Sequence, residues 1–230
     1  MKKLIATLLL VSITFVTNSQ NLRGGSSLSD GFKMNRKDTQ GHQFLLNDWV
    51  EGFLVDNNGK MSSKKLLNLD IYNNNPTYKA SNSQKDIFVI DNSLFSGFVL
   101  IDKNKKQYIF TKIEGNKFKR GKKETKYYQL LNAPKKSFIL ESIKKMKDPN
   151  ASGWTSSLNN TKVAKFVKKE AYYILNSKGK YEKIKLKESH ILKALKDKKK
   201  QVKAYIKSNN INIKSPADVI TVLDYYASLK

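Results

Sequence analysis

The chain has 230 residues, of which 39% are hydrophobic, and its formal net charge is +25. This length accommodates one domain with a sizeable core, and the hydrophobic content excludes a globally disordered chain. There is no cysteine, which excludes disulfides, thiolate catalysis, iron–sulfur clusters, cysteine-based zinc sites and anchoring through an acylated cysteine.

The first twenty residues have the pattern of a secretory signal peptide. Lys2 and Lys3 precede an apolar run from Leu4 to Val16, and the small residues Thr17 and Ser19 follow it. The run of about 13 residues is shorter than the roughly 20 that a membrane-spanning helix needs. We therefore expect an exported, soluble protein, periplasmic or extracellular, that is not a lipoprotein and whose mature chain has no membrane-spanning segment.

Beyond the predicted signal peptide (1–20), the composition divides the chain into three parts. Residues 21–43 are rich in glycine, serine, asparagine and charge, which predicts a flexible leader. Residues 44–187 alternate apolar and polar side chains between turn-forming residues, the pattern of an antiparallel β domain. Residues 188–230 change to a helical period, which predicts a helical cap packed on the sheet.

Three segments of the β domain share the plan of strand, tight turn and return strand: 53–71, 98–113 and 172–186. The first contains Asn58-Gly59, a strong hairpin signal because both residue types tolerate positive φ. Gly52, inside the strand before it, predicts a bulge or a close backbone approach. The short apolar run at 87–90 predicts a buried strand.

Residues 161–187 form the longest predicted hairpin and illustrate how the sheet should be covered. Apolar residues mostly recur at two-residue spacing and lysines fill much of the rest, which predicts one buried face and one wet, cationic face. In the adjacent pairs Tyr127-Tyr128 and Tyr172-Tyr173, one ring of each pair should then point outward. Such rings could stack on sugars or bases, or could stabilise the sheet by cross-strand packing.

The last 43 residues predict two or three helices. Ile191, Leu195, Val202 and Ile206 fall on one helical stripe, and Asp197 is placed to end one helix and cap the next. A further helix should begin at 215–218, where serine, proline and aspartate occupy the preferred capping and first-turn positions. The predicted fold class is therefore α+β: an antiparallel β meander, as a curved sheet or an open barrel, capped by two or three C-terminal helices.

The positive charge is concentrated in the second half of the chain. Residues 21–100 hold nine Lys/Arg and eight Asp/Glu, whereas residues 101–230 hold 33 and 11, a net of +22. This asymmetry predicts an anionic partner. The candidate anion-binding residues are Lys103, Lys105, Lys106, Lys119, Arg120, Lys122, Lys123, Lys165, Lys168, Lys169, Lys183 and Lys185.

A compositional origin of the charge is the alternative. Only three of the 44 basic residues are arginine, and lysine, asparagine and isoleucine together are what an AT-rich genome encodes. Lysine is also a weaker choice than arginine for bidentate phosphate contacts.

No motif indicates catalysis. The two histidines, His42 and His190, lack metal-ligand spacing, and there is no nucleophile elbow, phosphate-binding loop or dinucleotide fingerprint. The best carboxylate group, Asp48, Glu51, Asp56 and Asp70, does not have the spacing of two acids facing each other across a cleft. We therefore predict a protein that is not an enzyme and has no cofactor or metal, with a hydrolase built from dispersed residues as the alternative.

Several short sequences carry a family resemblance. They are the end of the export signal, Thr17-Asn-Ser-Gln20, together with Trp49-Val-Glu-Gly52, Tyr127-Tyr-Gln-Leu-Leu131, Ala171-Tyr-Tyr-Ile174 and Tyr225-Tyr226 near the end of the chain. On these residues the chain, from residue 44 to 230, resembles uncharacterised exported β-rich proteins of Bacteroidota. The resemblance implies an exported location and a β-rich fold, and it implies no site residues.

Three functions follow as hypotheses. The first is a non-catalytic exported envelope protein that acts as a binding or interaction module, with another envelope protein as one possible partner. The second is a lysine-rich binder of an anionic polymer such as lipopolysaccharide, acidic glycan or extracellular DNA, whose affinity would fall steeply with salt. The third is a carrier of an apolar ligand held between the sheet and the helices.

Overall fold

The computed structural model of the protein describes residues 39–149 and 163–229. Within these residues, ten strands form one antiparallel sheet that is not closed, and three helices follow it, as the α+β prediction required. The strands are β1 (Val50–Asp56), β2 (Lys65–Asp70), β3 (Asn75–Lys79), β4 (Phe88–Val89), β5 (Phe95–Ile101), β6 (Gln107–Ile113), β7 (Lys126–Leu130), β8 (Phe138–Lys147), β9 (Lys165–Leu175) and β10 (Tyr181–Ile184). The helices are α1 (Glu188–Ala194), α2 (Lys199–Ser208) and α3 (Pro216–Ser228).

The predicted signal peptide and residues 21–38 of the predicted leader lie outside the described residues. The leader's last residues are hydrogen-bonded to the sheet: the Gln40 amide donates to the Ala164 carbonyl at 2.8 Å, and the Phe166 amide donates to the Gln40 carbonyl at 3.1 Å. Among the helices of the described segments, none has the length and apolar character needed to cross a membrane.

The sheet consists of two meanders, β1–β4 and β5–β10, which are joined by the pairing of β1 with β5. Its order is β10-β9-β8-β7-β6-β5-β1-β2-β3-β4, so the chain builds β1 to β4 outward and then returns to add β5 on the other side of β1. Gly52 permits this pairing, because a Cβ atom there would lie 2.2 Å from the Val99 carbonyl oxygen of β5. The close backbone approach predicted for this glycine is therefore confirmed.

The three predicted hairpins all form, and they share one turn. In each, an Asp or Asn side chain accepts hydrogen bonds from the backbone amides two and four residues later, the usual role of these residues in turns. The three turn-forming residues are Asp56, Asp102 and Asn176. Positive φ occurs three residues after each, at Gly59, Lys105 and Gly179.

The predicted strand at 87–90 is shorter than expected, and of its four residues only Ile90 is buried. β4 comprises only Phe88 and Val89, both half-buried, and it lies at the edge of the sheet, paired with β3 alone. A short apolar run does not distinguish a central strand from an edge strand, because the number of pairing partners is decided by distant segments.

The sheet curves until its two halves meet. The Asn74 side chain, in the β2–β3 turn, accepts from the Tyr127 amide at 2.7 Å, and the Lys144 amide of β8 donates to the Ile71 carbonyl at 3.0 Å. One side of β1, β2, β5 and β6 holds a buried core that includes Leu54, Phe98 and Leu100.

The helices cover one side of β8–β10, which we call the helix face. Their buried residues, including Ile191, Leu195, Val202 and Val219, pack on Phe138, Ile174 and Ile184 of the strands. The predicted start of α3 is confirmed as a capping box: the Asp218 amide donates to the Ser215 hydroxyl at 3.3 Å, and the Ser215 amide donates to the Asp218 carboxylate at 2.8 Å.

The predicted cap by Asp197 was wrong. Lys198 precedes α2, no side chain caps that helix, and a short 3-10 turn at Lys196–Lys198 joins it to α1. The Asp197 carboxylate instead accepts a hydrogen bond from the Tyr226 hydroxyl of α3 at 3.0 Å. This contact depends on how α3 packs, which the spacing within 191–206 does not reveal.

Candidate functional site: a basic groove beside β10

The opposite side of β7–β10, which we call the groove face, is covered by the connection between β6 and β7. This connection, 114–125, contains a 3-10 turn at Gly115–Lys117 and reaches across to the free edge of β10. There the Lys119 amide donates to the Tyr181 carbonyl at 2.9 Å. The sheet edge is thereby partly paired, which is one way in which proteins protect an exposed strand.

Phe118 anchors the connection. Its side chain is 4% exposed, and its ring centroid lies 5.1 to 5.4 Å from those of Tyr128, Tyr173 and Tyr181. Alternation along the strands places these three tyrosines on the same side of the sheet. A lone aromatic residue within the very basic stretch 117–126 was the sequence signal for this anchor.

Gly115 lets the connection turn back on itself. A Cβ atom at this position would lie 1.9 Å from the Lys122 carbonyl oxygen, so no larger residue fits without a backbone shift. The Lys122 amide donates to the Gly115 carbonyl at 2.9 Å, which closes the turn.

The prediction of one wet, cationic face is therefore wrong where the connection covers the strands, whereas Lys165, Lys169 and Lys183 on the same face are exposed as predicted. Tyr127 and Tyr128 are both buried, on opposite sides of the sheet, and Tyr172 and Tyr173 contact the helix-face and groove-face cores respectively. These contacts correspond to cross-strand packing of the tyrosine pairs and not to outward rings that could stack on sugars or bases. The groove face is covered by the β6–β7 connection, and the lysine-rich sequence of that connection has no apolar periodicity that would predict such packing.

The Lys122 ammonium group lies beside this aromatic cluster, and the Glu141 carboxylate balances its charge. The ammonium group donates to the Glu141 carboxylate at 2.8 Å and to the Tyr128 hydroxyl at 2.9 Å, and the Tyr173 hydroxyl also donates to Glu141, at 2.7 Å. The ammonium lies 4.4 Å from the Phe118 ring centroid. Burial lowers the pKa of Lys122, and the hydrogen bond to Glu141 opposes this without cancelling it.

A groove of about 600 Å³ lies between residues 118–122, β10 and α1. We call it the basic groove. Its lining includes the buried Phe118, Tyr173, Tyr181 and Ile184 together with six basic side chains. These are Lys119, Arg120, Lys122, Lys183, Lys185 and Lys193.

The groove keeps an excess of positive charge after its internal pairs are counted. Glu182, the one acid among the described residues of its lining, receives a hydrogen bond from Lys119 at 2.6 Å. Burial raises the pKa of Glu182, but hydrogen bonds from Lys119 and Asn176 outweigh this and leave it below its usual value. Arg120, Lys183, Lys185 and Lys193 are exposed and have no ion-pair partner within the described segments.

Five of the twelve predicted anion-binding residues meet in the basic groove: Lys119, Arg120, Lys122, Lys183 and Lys185. Sequence reasoning missed Lys193 and the neighbouring His190, which both lie in α1. Both lie in the segment 188–230, which the sequence analysis assigned to a helical cap on the basis of its apolar residues.

The other predicted residues lie elsewhere. Lys103, Lys105 and Lys106 are in the β5–β6 turn, and four strands separate β5 from β10. Lys123 is exposed but is not part of the groove lining.

On β9, Lys165 and Lys169 alternate with Lys168, so they lie on the groove face and Lys168 on the helix face. Lys168 forms an ion pair with Glu170, two residues along the same strand, at 2.7 Å. The long basic hairpin therefore divides its lysines between two sides of the sheet.

The carboxylates considered for catalysis do not converge on one cleft. Asp56 and Asp70 accept backbone amides in turns, Glu51 forms an exposed pair with Lys64, and Asp48 is exposed. No group of three or more His, Asp or Glu residues in the described ranges is arranged to hold a metal ion.

Four surface grooves of about 350 to 730 Å³ each include at least two lysines in their lining.

No protein-family model, curated protein or solved structure matches the chain.

Proposed function

We propose that the protein is an exported, non-catalytic binding module that holds an anionic polymer in the basic groove. The observation that carries this proposal is the convergence of six basic side chains from three separate segments on one groove with a single acid in its described lining. The export part rests on the predicted signal peptide in residues 1–20.

The chemistry of the groove supports an anionic ligand. Like charges held close together repel one another, and an anion that enters the groove relieves that repulsion. Lysine ammonium groups act as point charges without a preferred fork geometry, so they accept carboxylate, sulfate or phosphate alike. The binding energy of such contacts falls with added salt, because bound counterions are released into the solvent.

The test is a titration of the purified protein with polygalacturonate, with neutral dextran as the uncharged comparison, at low and high salt. The variant Lys183→Gln/Lys185→Gln removes two groove charges. The matched control Lys103→Gln/Lys105→Gln removes the same net charge from the β5–β6 turn. At about 0.5 kcal/mol for each lost contact, we expect the groove variant to weaken binding by about fivefold and the control to leave it unchanged.

Two results would overturn the proposal. One is the absence of polygalacturonate binding at low salt. The other is an equal loss in the groove variant and in the control, because that would assign binding to net charge instead of to the groove.

A further inference from the structure

The basic groove continues beyond α1. A second groove of about 730 Å³ runs between α1 and α2, and it shares Ser189 and Lys193 with the basic groove. Its other basic residues are Lys196, Lys199 and Lys203. We call it the α1–α2 groove. Because Ser189 and Lys193 line both, the two grooves adjoin, and we call them together the path.

The lysines of this path recur every three or four residues through α1, the 3-10 turn and α2. Lys193, Lys196, Lys199 and Lys203 are three or four residues apart, all are exposed, and none has an ion-pair partner in the part of the chain that the structure describes. Lys199 and Lys203 lie four residues apart in α2, a spacing at which like charges destabilise a helix by roughly 0.2–0.5 kcal/mol. With one acid, Glu188, against four lysines in its lining, the α1–α2 groove favours a partner that supplies negative charge.

The rings beside the path are not available for stacking. Tyr173 and Tyr181 are 7% and 8% exposed and Phe118 is 4% exposed, and no aromatic residue is among the described residues that line the α1–α2 groove. Proteins that bind single-stranded nucleic acid offer open aromatic faces to successive bases. The path offers charge without such faces, which favours an acidic polysaccharide over a nucleic acid.

We propose that the basic groove and the α1–α2 groove together bind one linear acidic polysaccharide, with Lys196, Lys199 and Lys203 as the outer half of the site. This inference rests on the proposed function and extends it, because it assigns the class of polymer and a second set of residues. A short oligomer occupies the basic groove alone, and a longer one reaches α2.

The experiment measures dissociation constants at low salt for di-, tetra- and octagalacturonate, with an oligothymidylate of the same charge as the octamer. The variant Lys196→Gln/Lys199→Gln/Lys203→Gln removes the outer lysines. Its matched control, Lys103→Gln/Lys105→Gln/Lys106→Gln, removes the same charge from the β5–β6 turn. For the wild-type protein we expect affinity to rise from the dimer to the octamer.

The outer variant should bind the octamer about tenfold more weakly and the dimer as well as the wild type does, and the control should match the wild type with both. Unchanged dimer binding also shows that the variant is folded.

Each contrary outcome has its own meaning. If the octamer binds no better than the dimer, or if the control loses as much as the outer variant, the extended path is overturned and the basic groove stands. If oligothymidylate binds more tightly than octagalacturonate, the assignment to polysaccharide is overturned. If no probe binds, both this inference and the proposed function fail.

Discussion

The two faces of β7–β10 are covered in different ways, although the same strands supply both. On the helix face, three helices bury an aliphatic core that includes Ile191, Leu195 and Val202. On the groove face, one connection covers only part of the sheet, through an aromatic cluster and the Lys122–Glu141 pair. The complete cover provides packing, and the partial cover leaves a basic groove beside it.

The difference shows how a lysine-rich chain can combine stability with an open charged surface. Aliphatic side chains stabilise by being removed from water, so they belong where the cover is complete. The long stems of lysines cover apolar surface while their ammonium groups stay in water, so they suit the margin of an incomplete cover. Three predictions test this contrast, in order of the expected effect on stability at neutral pH.

The largest effect is expected from the helix face. Leu195 is fully buried among the helices, so Leu195→Ala should lower the free energy of unfolding by about 2–5 kcal/mol through lost contacts and the cavity left behind. Urea unfolding followed by circular dichroism measures this. Leu94→Ala is the matched control, because Leu94 is 45% exposed and its truncation should change stability by less than about 0.5 kcal/mol. Similar losses in the two variants would contradict the assignment of the main core to the helix face.

A smaller effect is expected from the groove face. Glu141→Gln leaves the half-buried Lys122 without its counter-charge and should cost about 1–3 kcal/mol. The control is Glu51→Gln, which breaks an exposed pair with Lys64 at 3.1 Å and should cost less than about 1 kcal/mol. Urea unfolding compares the two variants. Equal costs would show that Lys122 and Glu141 behave as a solvated surface pair and do not anchor the connection.

The third effect appears only at alkaline pH and should involve both faces. Burial raises the pKa of Tyr128 and Tyr173 on the groove face. On the helix-face side, burial together with the hydrogen bond to Asp197 raises the pKa of Tyr226 to about 12. Because the unfolded chain ionises near pH 10, the stabilisation is complete below that pH and is lost as pH rises through the folded-state values.

Each such tyrosine should contribute a loss of at most about 1.4 kcal/mol per pH unit above pH 10. The measurement is the phenolate absorbance of the native protein against that of the protein in urea, together with unfolding curves at several pH values. A native protein in which all eleven tyrosines ionise together near pH 10 would contradict the burial of both faces.

Local patterns predicted much of the fold. The three hairpins could be predicted because an Asp or Asn at the start of each turn bonds backbone amides within four residues, so the signal and its cause lie in the same short segment. The capping box of α3 was predictable for the same reason. The role of Asp197 could not be predicted, because Tyr226, which donates a hydrogen bond to its carboxylate, lies 29 residues away in the chain.

The candidate site could be predicted only in part. The charge pattern selected Lys119, Arg120, Lys183 and Lys185, but it also selected Lys103 and Lys168, which are far from the groove or on the opposite face. Residue type alone does not distinguish a lysine that meets others across a groove from one that is simply solvated. Lys193 was missed because the other basic residues of the groove lie far from it in the chain, on β10 and on the β6–β7 connection.

By itself, the sequence determined the alternation of side chains, the positions of the tight turns, the change to helices after residue 187 and the excess of positive charge in the second half of the chain. These properties depend on neighbours along the chain, and so they can be inferred from short segments. Only the tertiary structure decided that β5 returns to β1, that Phe118 crosses the sheet to the edge of β10, and that lysines from three segments meet there. Such contacts join residues far apart in the chain, and the free energy that selects them comes from packing the whole molecule.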